Sequence, residues 1–334
     1  MHRAGCLIRR LVSEAAPVAG DEALPDPLLP PDVVANVLAA CGELGAAWLR
    51  RLPEHLDAAT AGWGLTEDGP PYAEASLGLV LPVRGPGGAP LVLKLSPPTE
   101  WLAHEARALA HWAGAGAVRL EAADLSRGAL LLERAVPGTT LATLCPVDDR
   151  AATEAAAEVV ARLRATSGRP AEALPALASW TERLGADWGA FPELASACRD
   201  ARAMVSELFA DAARTSVLHG DLHHHNLLRA ERLPWLATDP KGITGPPEAE
   251  PAALLRNPRR FVLSHPRPAA LLADRLSVLA ERLGDDVRRL AGWGYALAVV
   301  AAAWAAEDQQ GDEVRRWLAC AESLRAAARL HGMG

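Results

Sequence analysis

The stretch "VLHGDLHHHNLLRA", residues 217–230, decides how this 334-residue chain is read. It places four of the ten histidines, His219, His223, His224 and His225, within seven positions. The first question is whether they bind a metal. Zinc takes three or four His, Cys or carboxylate ligands that converge on a tetrahedron. His219 and His223 are four apart, a helical spacing, but Gly220 and Asp221 lie between them, and His-Gly-Asp is turn chemistry. His223, His224 and His225 are consecutive, so their side chains diverge in a strand or a helix alike. No H-E-x-x-H or C-x-x-C pattern supports them.

Asp221 and Asn226 frame the same stretch differently. They are five apart, and Asp239 follows thirteen residues later, after the strand-like "LPWLATDP". The protein-kinase catalytic loop H-R-D-L-x-x-x-N has this Asp-to-Asn spacing, with a metal-binding Asp on the next hairpin. The chemistry explains the residue types. One carboxylate accepts or orients the proton of an attacking hydroxyl, while an amide oxygen and a second carboxylate hold Mg²⁺ against the triphosphate. Magnesium needs few protein oxygens when phosphates and waters fill its remaining positions. Upstream, Lys94 stands late in the apolar strand "LVLKLS", where a lysine meets α- and β-phosphates. Glu105 lies eleven residues on in the helix-patterned "WLAHEARAL", and Glu100, earlier on that helix, competes with it for Lys94.

Composition bounds the rest. Half the residues are apolar and 22% are charged, a globular balance. A net charge of −7 argues against a sequence-independent nucleic-acid binder and is compatible with a cationic small-molecule partner. The five cysteines, Cys6, Cys41, Cys145, Cys198 and Cys320, are odd in number and widely spaced, which fits reduced, mostly buried thiols and a cytoplasmic location. The N-terminus lacks the continuous apolar core of a secretory signal. The longest apolar run, residues 291–306, falls short of the roughly 20 residues of a membrane span and reads as a core helix.

The patterning implies an α+β chain with a strand-rich and a helical part. Residues 1–59 read as an arm leading into a helix from Asp32, with Asp32 as its N-cap. Residues 60–134 read as a small lobe: two strands around the turn cluster "RGPGGAP", then a helix closed by glycines, then the strands "AVRLEAADL" and "GALLLERAV". A short connector at 135–140 precedes a largely helical lobe over 141–334, interrupted near 217–239 by short strands and loops. A cleft between two lobes is a natural ligand site.

With these residues in place, "HGDLHHHN", "TDPKG" and "LLRNP" together resemble the aminoglycoside phosphotransferases, which are similar to protein kinases in fold but carry "HGD" for "HRD". "DPKG", "LVLKLS", "HEARALAHWAGAGAVRL" and "LLLERAVPGTTL" resemble the streptomycin 6-kinase (hydroxyurea phosphotransferase) branch, over roughly residues 60–325. The resemblance implies a protein-kinase-like two-lobe fold with ATP and Mg²⁺ as cofactors. Asp221 is then the catalytic carboxylate, Asn226 and Asp239 hold magnesium, and Lys94, held by Glu105, binds the ATP phosphates. Glu133, Ala135 and Val136, within "ERAVPGTT", become the hinge that meets adenine, and Ser76 lies over the phosphates. Lys241 touches phosphate or substrate, or forms a structural ion pair. The chain departs from the branch at Glu250, where an Asp is usual, and at His225, where a small or acidic residue is usual.

Both departures fall where an acceptor enters, so His225, Lys241, Glu248 and Glu250 are candidate substrate residues. So are Glu307 and Asp308 in the turn "EDQQGDE", because carboxylates pair bidentately with guanidinium groups. That turn reads equally as a solvated link between helices. Trp180, Trp188 and Trp293 are stacking candidates or core. The implied activity is ATP-dependent transfer of a phosphoryl group to a hydroxyl of a cationic small molecule, streptomycin at its 6-position. Hydroxyurea, another aminoglycoside, an aminocyclitol or a biosynthetic metabolite remain alternative acceptors. A non-catalytic nucleotide binder and a histidine-based metal protein remain alternatives of other classes. Neither a nucleic acid nor a membrane is an expected partner, and the sequence is silent on monomer versus dimer.

Overall fold

A computed structural model describes residues 29–73, 75–166 and 173–332. The expected N-terminal arm, the reading of the N-terminus as free of a secretory signal, and Cys6 lie outside these residues, save for the arm's last positions. The chain forms two compact units. One takes the residues through Ala106 together with Val118–Arg134, and the other takes Arg107–Ala117 together with the residues from Ala135 onward.

The first unit is built on a five-stranded antiparallel sheet. Helix α1 (Pro31–Arg50) opens with a proline in its first turn, whose fixed φ suits that place. Its cap residue is therefore Pro30, with no side-chain bond, and Asp32 lies inside the first turn rather than capping it as expected. The helix changes direction at Gly42, which takes φ 51°. Helix α2 (Leu52–Trp63) follows. The strands are β1 (Thr66–Glu67), β2 (Leu79–Arg84), β3 (Pro90–Leu95), β4 (Leu120–Asp124) and β5 (Ala129–Glu133), in the order β1-β2-β3-β5-β4. The turn cluster at residues 85–89 joins β2 to β3, with the Gly85 N–H bonded to the Ala89 carbonyl at 3.0 Å. Strand alternation sends Leu93 and Leu95, both fully buried, into a core shared with Val33, Val37, Trp48 and Leu79. Each such leucine contributes about 1.5–3 kcal/mol of burial. The same alternation turns Lys94 to the opposite face. Helix α3 (Glu100–Trp112) lies between β3 and β4 in sequence.

The second unit is mostly helical. Its long helices are α4 (Asp149–Arg164), α6 (Pro192–Ala210), α9 (Pro268–Leu283), α10 (Val287–Glu307) and α11 (Gly311–Leu330), with short helices α5 (Leu177–Thr181), α7 (Ala252–Leu255) and α8 (Arg259–Ser264) between them. Helix α10 is its axis, and every residue from Leu290 to Ala306 is buried. Alanine and glycine let neighbours approach: Gly294 has room for no Cβ beside Leu255, which would stand 2.9 Å away. By length and hydropathy both α10 and α1 match a membrane span, but α10 is 94% buried within the protein. At 21 residues it is longer than the apolar run that located it.

Five short strands complete this unit: β6 (Pro137–Thr140), β7 (Ser216–Leu218), β8 (Leu227–Ala230), β9 (Trp235–Ala237) and β10 (Ile243–Gly245). The expected connector at 135–140 thus contains a strand, β6, paired antiparallel with β8. Residues 107–117, expected in the small lobe, belong to this unit instead. One reason is visible at Arg232, whose guanidinium donates to the carbonyls of Gly114 and Ala117 at 2.8 and 2.9 Å.

Candidate active site

Antiparallel pairing of β7 with β10, with Leu218 opposite Ile243, returns the chain to where it started. The residues that leave β7 and those that enter β10 therefore stand at the same end. Asp221 follows β7 by three positions, and Asp239 precedes β10 by four. The β8–β9 hairpin spans the interval, and a 3-10 turn at His224–Asn226 carries the chain into it.

The four histidines have four different environments. His219 is fully buried and stacks on Trp112, with centroids 6.1 Å apart. Its Nε2 lies 2.9 Å from the Thr238 carbonyl. A carbonyl only accepts, so Nε2 carries the proton and Nδ1 is left as an acceptor. Nδ1 takes the Asp221 backbone N–H at 3.3 Å. Burial lowers the His219 pKa to about 4, against the pull of the Asp221 charge, so the ring stays neutral as this bond requires. His224 is also buried, and its pKa is driven well down by that burial. His223 stands with Nε2 3.8 Å from the Asp221 carboxylate, and His225 is exposed, edge-on to His223. Among the described residues no group of three or more His, Cys, Asp or Glu side chains is arranged to hold a metal ion.

The Asp221 and Asp239 carboxylates instead both stand near Lys241. Its Nζ lies 3.8 Å from the Asp221 carboxylate and 3.7 Å from that of Asp239. The Lys241 backbone N–H is bonded to the His219 carbonyl at 2.8 Å, which holds the lysine beside the turn. Asn226 donates from Nδ2 to the Asp221 carbonyl at 3.0 Å, so its Oδ1 is the atom left for a cation. Asp239 adopts φ 60°, a left-handed conformation that short polar residues tolerate and most others do not. Asn226 and Asp239 together offer hard oxygen donors, the set that magnesium accepts when phosphates and waters supply the rest.

Gly220 also sits at φ 79°, and a Cβ there would meet Trp180 at 3.0 Å and Ile243 at 3.2 Å. Only glycine fits this point one residue before Asp221.

Glu250 requires a correction. Expected at an acceptor surface, it is buried at 4% exposure, and its carboxylate accepts the backbone N–H groups of His219 at 2.6 Å and Gly220 at 3.3 Å. It supports the turn from behind, and burial raises its pKa to about 7. Glu248 is also not a bare carboxylate: it lies 3.6 Å from Arg289. Glu307 lies 3.5 Å from Arg183, whose guanidinium covers the Trp304 ring, and Trp304 in turn packs edge-on against Trp180. Asp308 makes no ion pair among the described residues. Trp180, Trp188 and Trp293 are all buried, so they serve as core.

In the first unit, Lys94 Nζ meets both oxygens of Glu105, at 2.7 and 2.8 Å. Ser76 precedes β2, and its carbonyl accepts from Asn36 at 3.2 Å. Glu133 ends β5, with its carboxylate 3.0 Å from the Arg119 N–H. Ala135 and Val136 begin the next part of the second unit, buried and half-buried. Sequence reasoning gave no role to Trp112, which stacks on His219, or to Arg256, which is buried near Gly220. Arg256 lies in the "LLRNP" motif, so a signal for it existed.

The description of the aminoglycoside/hydroxyurea antibiotic resistance kinases matches residues 62–309 of this sequence. The chain belongs to that family. A streptomycin 6-kinase of Streptomyces glaucescens is 34% identical over 84% of this chain and 91% of its own length. A hydroxyurea phosphotransferase of Kitasatospora aureofaciens is 34% identical over 90% of this chain and 86% of its own length. Among solved structures, an amicoumacin kinase in complex with AMP-PNP, Ca²⁺ and Ami superposes with a TM-score of 0.58 at 11% identity, covering 81% of this chain and 93% of that one. The chain therefore has the protein-kinase-like fold, with a β-sheet N-lobe and a helical C-lobe, and is a phosphotransferase.

Proposed function

We propose that this kinase transfers the γ-phosphoryl group of ATP to the 6-hydroxyl of streptomycin, giving the phosphate ester, ADP and a proton. The observation that carries the reading is the Asp221–Lys241–Asp239 cluster, with Asn226 oriented beside it. Asp221 accepts the proton of the attacking hydroxyl, and Lys241 offsets charge between the two carboxylates. Asn226 and Asp239 hold magnesium, which when bound neutralises the phosphate oxygens. Lys94, oriented by Glu105, binds the ATP phosphates, and Glu133, Ala135 and Val136 meet adenine with their backbone. Catalysis rests on positioning and charge neutralisation, as in other phosphoryl transfers. Glu307 and Asp308 remain the candidate acceptor carboxylates, and the protein acts in the cytoplasm.

A second acceptor class has its own support. The hydroxyurea phosphotransferase is as similar as the streptomycin 6-kinase, and Arg183 and Arg289 already neutralise two of the acidic side chains suited to a polycation. Mass spectrometry of streptomycin, other aminoglycosides and hydroxyurea, incubated with enzyme and Mg·ATP, separates the readings. A phosphate adduct on streptomycin that is lost with Asp221→Ala supports the first. An adduct only on another acceptor refutes streptomycin and keeps the phosphotransfer. Adduct formation at the parent rate by Asp221→Ala refutes the role of Asp221.

A further inference from the structure

Arg183 is a buried cation beside a carboxylate that faces solvent. Its side chain is 8% exposed, that of Glu307 is 39% exposed, and the two stand 3.5 Å apart. A tight charge-assisted hydrogen bond is about 2.7–2.9 Å long. The buried pair of the same unit, Arg275 with both oxygens of Asp149, is at 2.6 and 2.8 Å. The Arg183–Glu307 pair is looser, and it leaves acceptor sites open on Glu307, because a carboxylate has about four. The guanidinium is held from elsewhere. It lies 4.8 Å over the Trp304 ring. The Arg183 carbonyl, on the 3-10 turn Glu182–Gly185, accepts from Trp188 Nε1 at 3.2 Å and from the Ala186 N–H at 3.1 Å.

Aromatic contacts connect this pair to the turn that carries Asp221. Trp304 packs edge-on against Trp180, with centroids 5.3 Å apart. The Trp180 ring closes over Gly220, where an added Cβ would stand 3.0 Å from it, and Gly220 precedes Asp221. Glu307 is the last residue of helix α10, and Asp308 is its cap. Carboxylates at a helix C-terminus add to the negative end of its dipole, so a cation there is favourable. Arg183 meets that need, and so would a guanidinium or ammonium group of an acceptor. Two cations at one carboxylate oppose each other.

We propose that Arg183 is a specificity-determining residue for the acceptor. Fixed on Trp304 beside Glu307, its charge opposes a cationic group of the acceptor at that carboxylate and so favours acceptors of lower charge. The proposal rests on the reading of Glu307 as an acceptor carboxylate. It gives one side chain the discrimination between a polycation such as streptomycin, with its two guanidinium groups, and a neutral acceptor such as hydroxyurea. Streptomycin then binds more weakly than Glu307 by itself would allow.

Titration of the full chain with streptomycin tests this. Arg183→Met keeps an apolar stem and loses the charge, and it is expected to bind streptomycin more tightly than the parent, by about threefold or more. Arg183→Lys keeps the charge and is expected to stay within about twofold of the parent. The gain of Arg183→Met is expected to shrink as salt rises. A merely structural role predicts a loss of affinity instead. Arg183→Met that binds no more tightly than the parent overturns the proposal, and so does Arg183→Lys that gains as much as Arg183→Met. Should Arg183→Met fail to fold, Arg183→Gln, equally uncharged, takes its place. Glu307→Gln tests the reading beneath the proposal and is expected to weaken streptomycin binding by about threefold. That loss without a gain in Arg183→Met refutes the role of Arg183 and keeps that of Glu307, whereas unchanged binding in Glu307→Gln refutes both. Streptomycin that binds without being phosphorylated refutes the proposed acceptor alone, and the affinities still judge Arg183. Where the parent does not bind streptomycin, binding by Arg183→Met supports the proposal and its absence overturns it.

Discussion

The Glu250 carboxylate accepts the His219 backbone N–H, and burial shifts the pKa values of the two side chains in opposite directions. Burial lifts the Glu250 pKa from 4.5 to about 7. Its contribution to stability is therefore full below 4.5 and lost as pH rises through 7. Burial lowers the His219 pKa from 6.5 to about 4. That contribution is full above 6.5 and lost as pH falls through 4. Between 4.5 and 6.5 the two slopes have opposite sign and largely cancel. Glu250→Gln removes one of them. As pH falls from 7 to 4.5 the parent regains stability that the variant cannot, on the order of 3 kcal/mol. The melting temperature of Glu250→Gln is expected to drop relative to the parent over that range. A difference that stays flat with pH counts against the buried carboxylate as its source. The sequence pointed elsewhere for this residue. "PPEAEP" looks like exposed acidic loop, and nothing in its composition reveals that the His219 and Gly220 N–H groups converge on one of its two glutamates.

At the scale of elements, the pairing of β3 with α3 was readable because its cause is periodic. Two apolar strands around a Gly/Pro turn place Lys94 late in β3, and the next amphipathic helix has to carry its partner. Helical spacing alone left Glu100 and Glu105 in competition; the structure puts Glu105 on Lys94 at 2.7 Å. Strand β6 was not readable. Its four residues, Pro-Gly-Thr-Thr, show no apolar alternation, and their partner β8 lies far along the chain. The ion pair makes a prediction of its own. The Lys94 side chain is 18% exposed and that of Glu105 7%, so Glu105→Ala leaves a largely desolvated ammonium, costing up to about 3 kcal/mol. Thermal unfolding is expected to show that loss, and titration is expected to show weaker Mg·ATP binding. Glu105→Gln keeps a hydrogen-bond acceptor and is expected to fall between Ala and the parent in both. Equal losses for Gln and Ala point to the charge rather than the bond, and unchanged nucleotide affinity in both removes Lys94 from the phosphate site.

For the whole molecule, family and fold were legible from motifs that phosphoryl transfer demands, and the acceptor was not. Relatives named for different acceptors are equally similar to this chain, so overall similarity does not choose between acceptors. The magnesium reading has a consequence for the entire chain that needs no acceptor. A ligand that binds only the folded state stabilises it by about 2.7 kcal/mol at a hundredfold excess over its Kd, and Mg·ATP is expected to raise the melting temperature accordingly. Asp239→Asn is the informative variant. Asparagine tolerates the left-handed φ of 60° at this position, whereas alanine adds backbone strain that mimics a lost ligand. The substitution removes a negative charge from the donor set, so the rise with Mg·ATP is expected to shrink. With ATP and a chelator, parent and variant are expected to melt alike apart from their baseline difference. An undiminished Mg·ATP response in Asp239→Asn removes Asp239 from the metal site. A response in the parent that survives chelation removes the metal from nucleotide binding altogether.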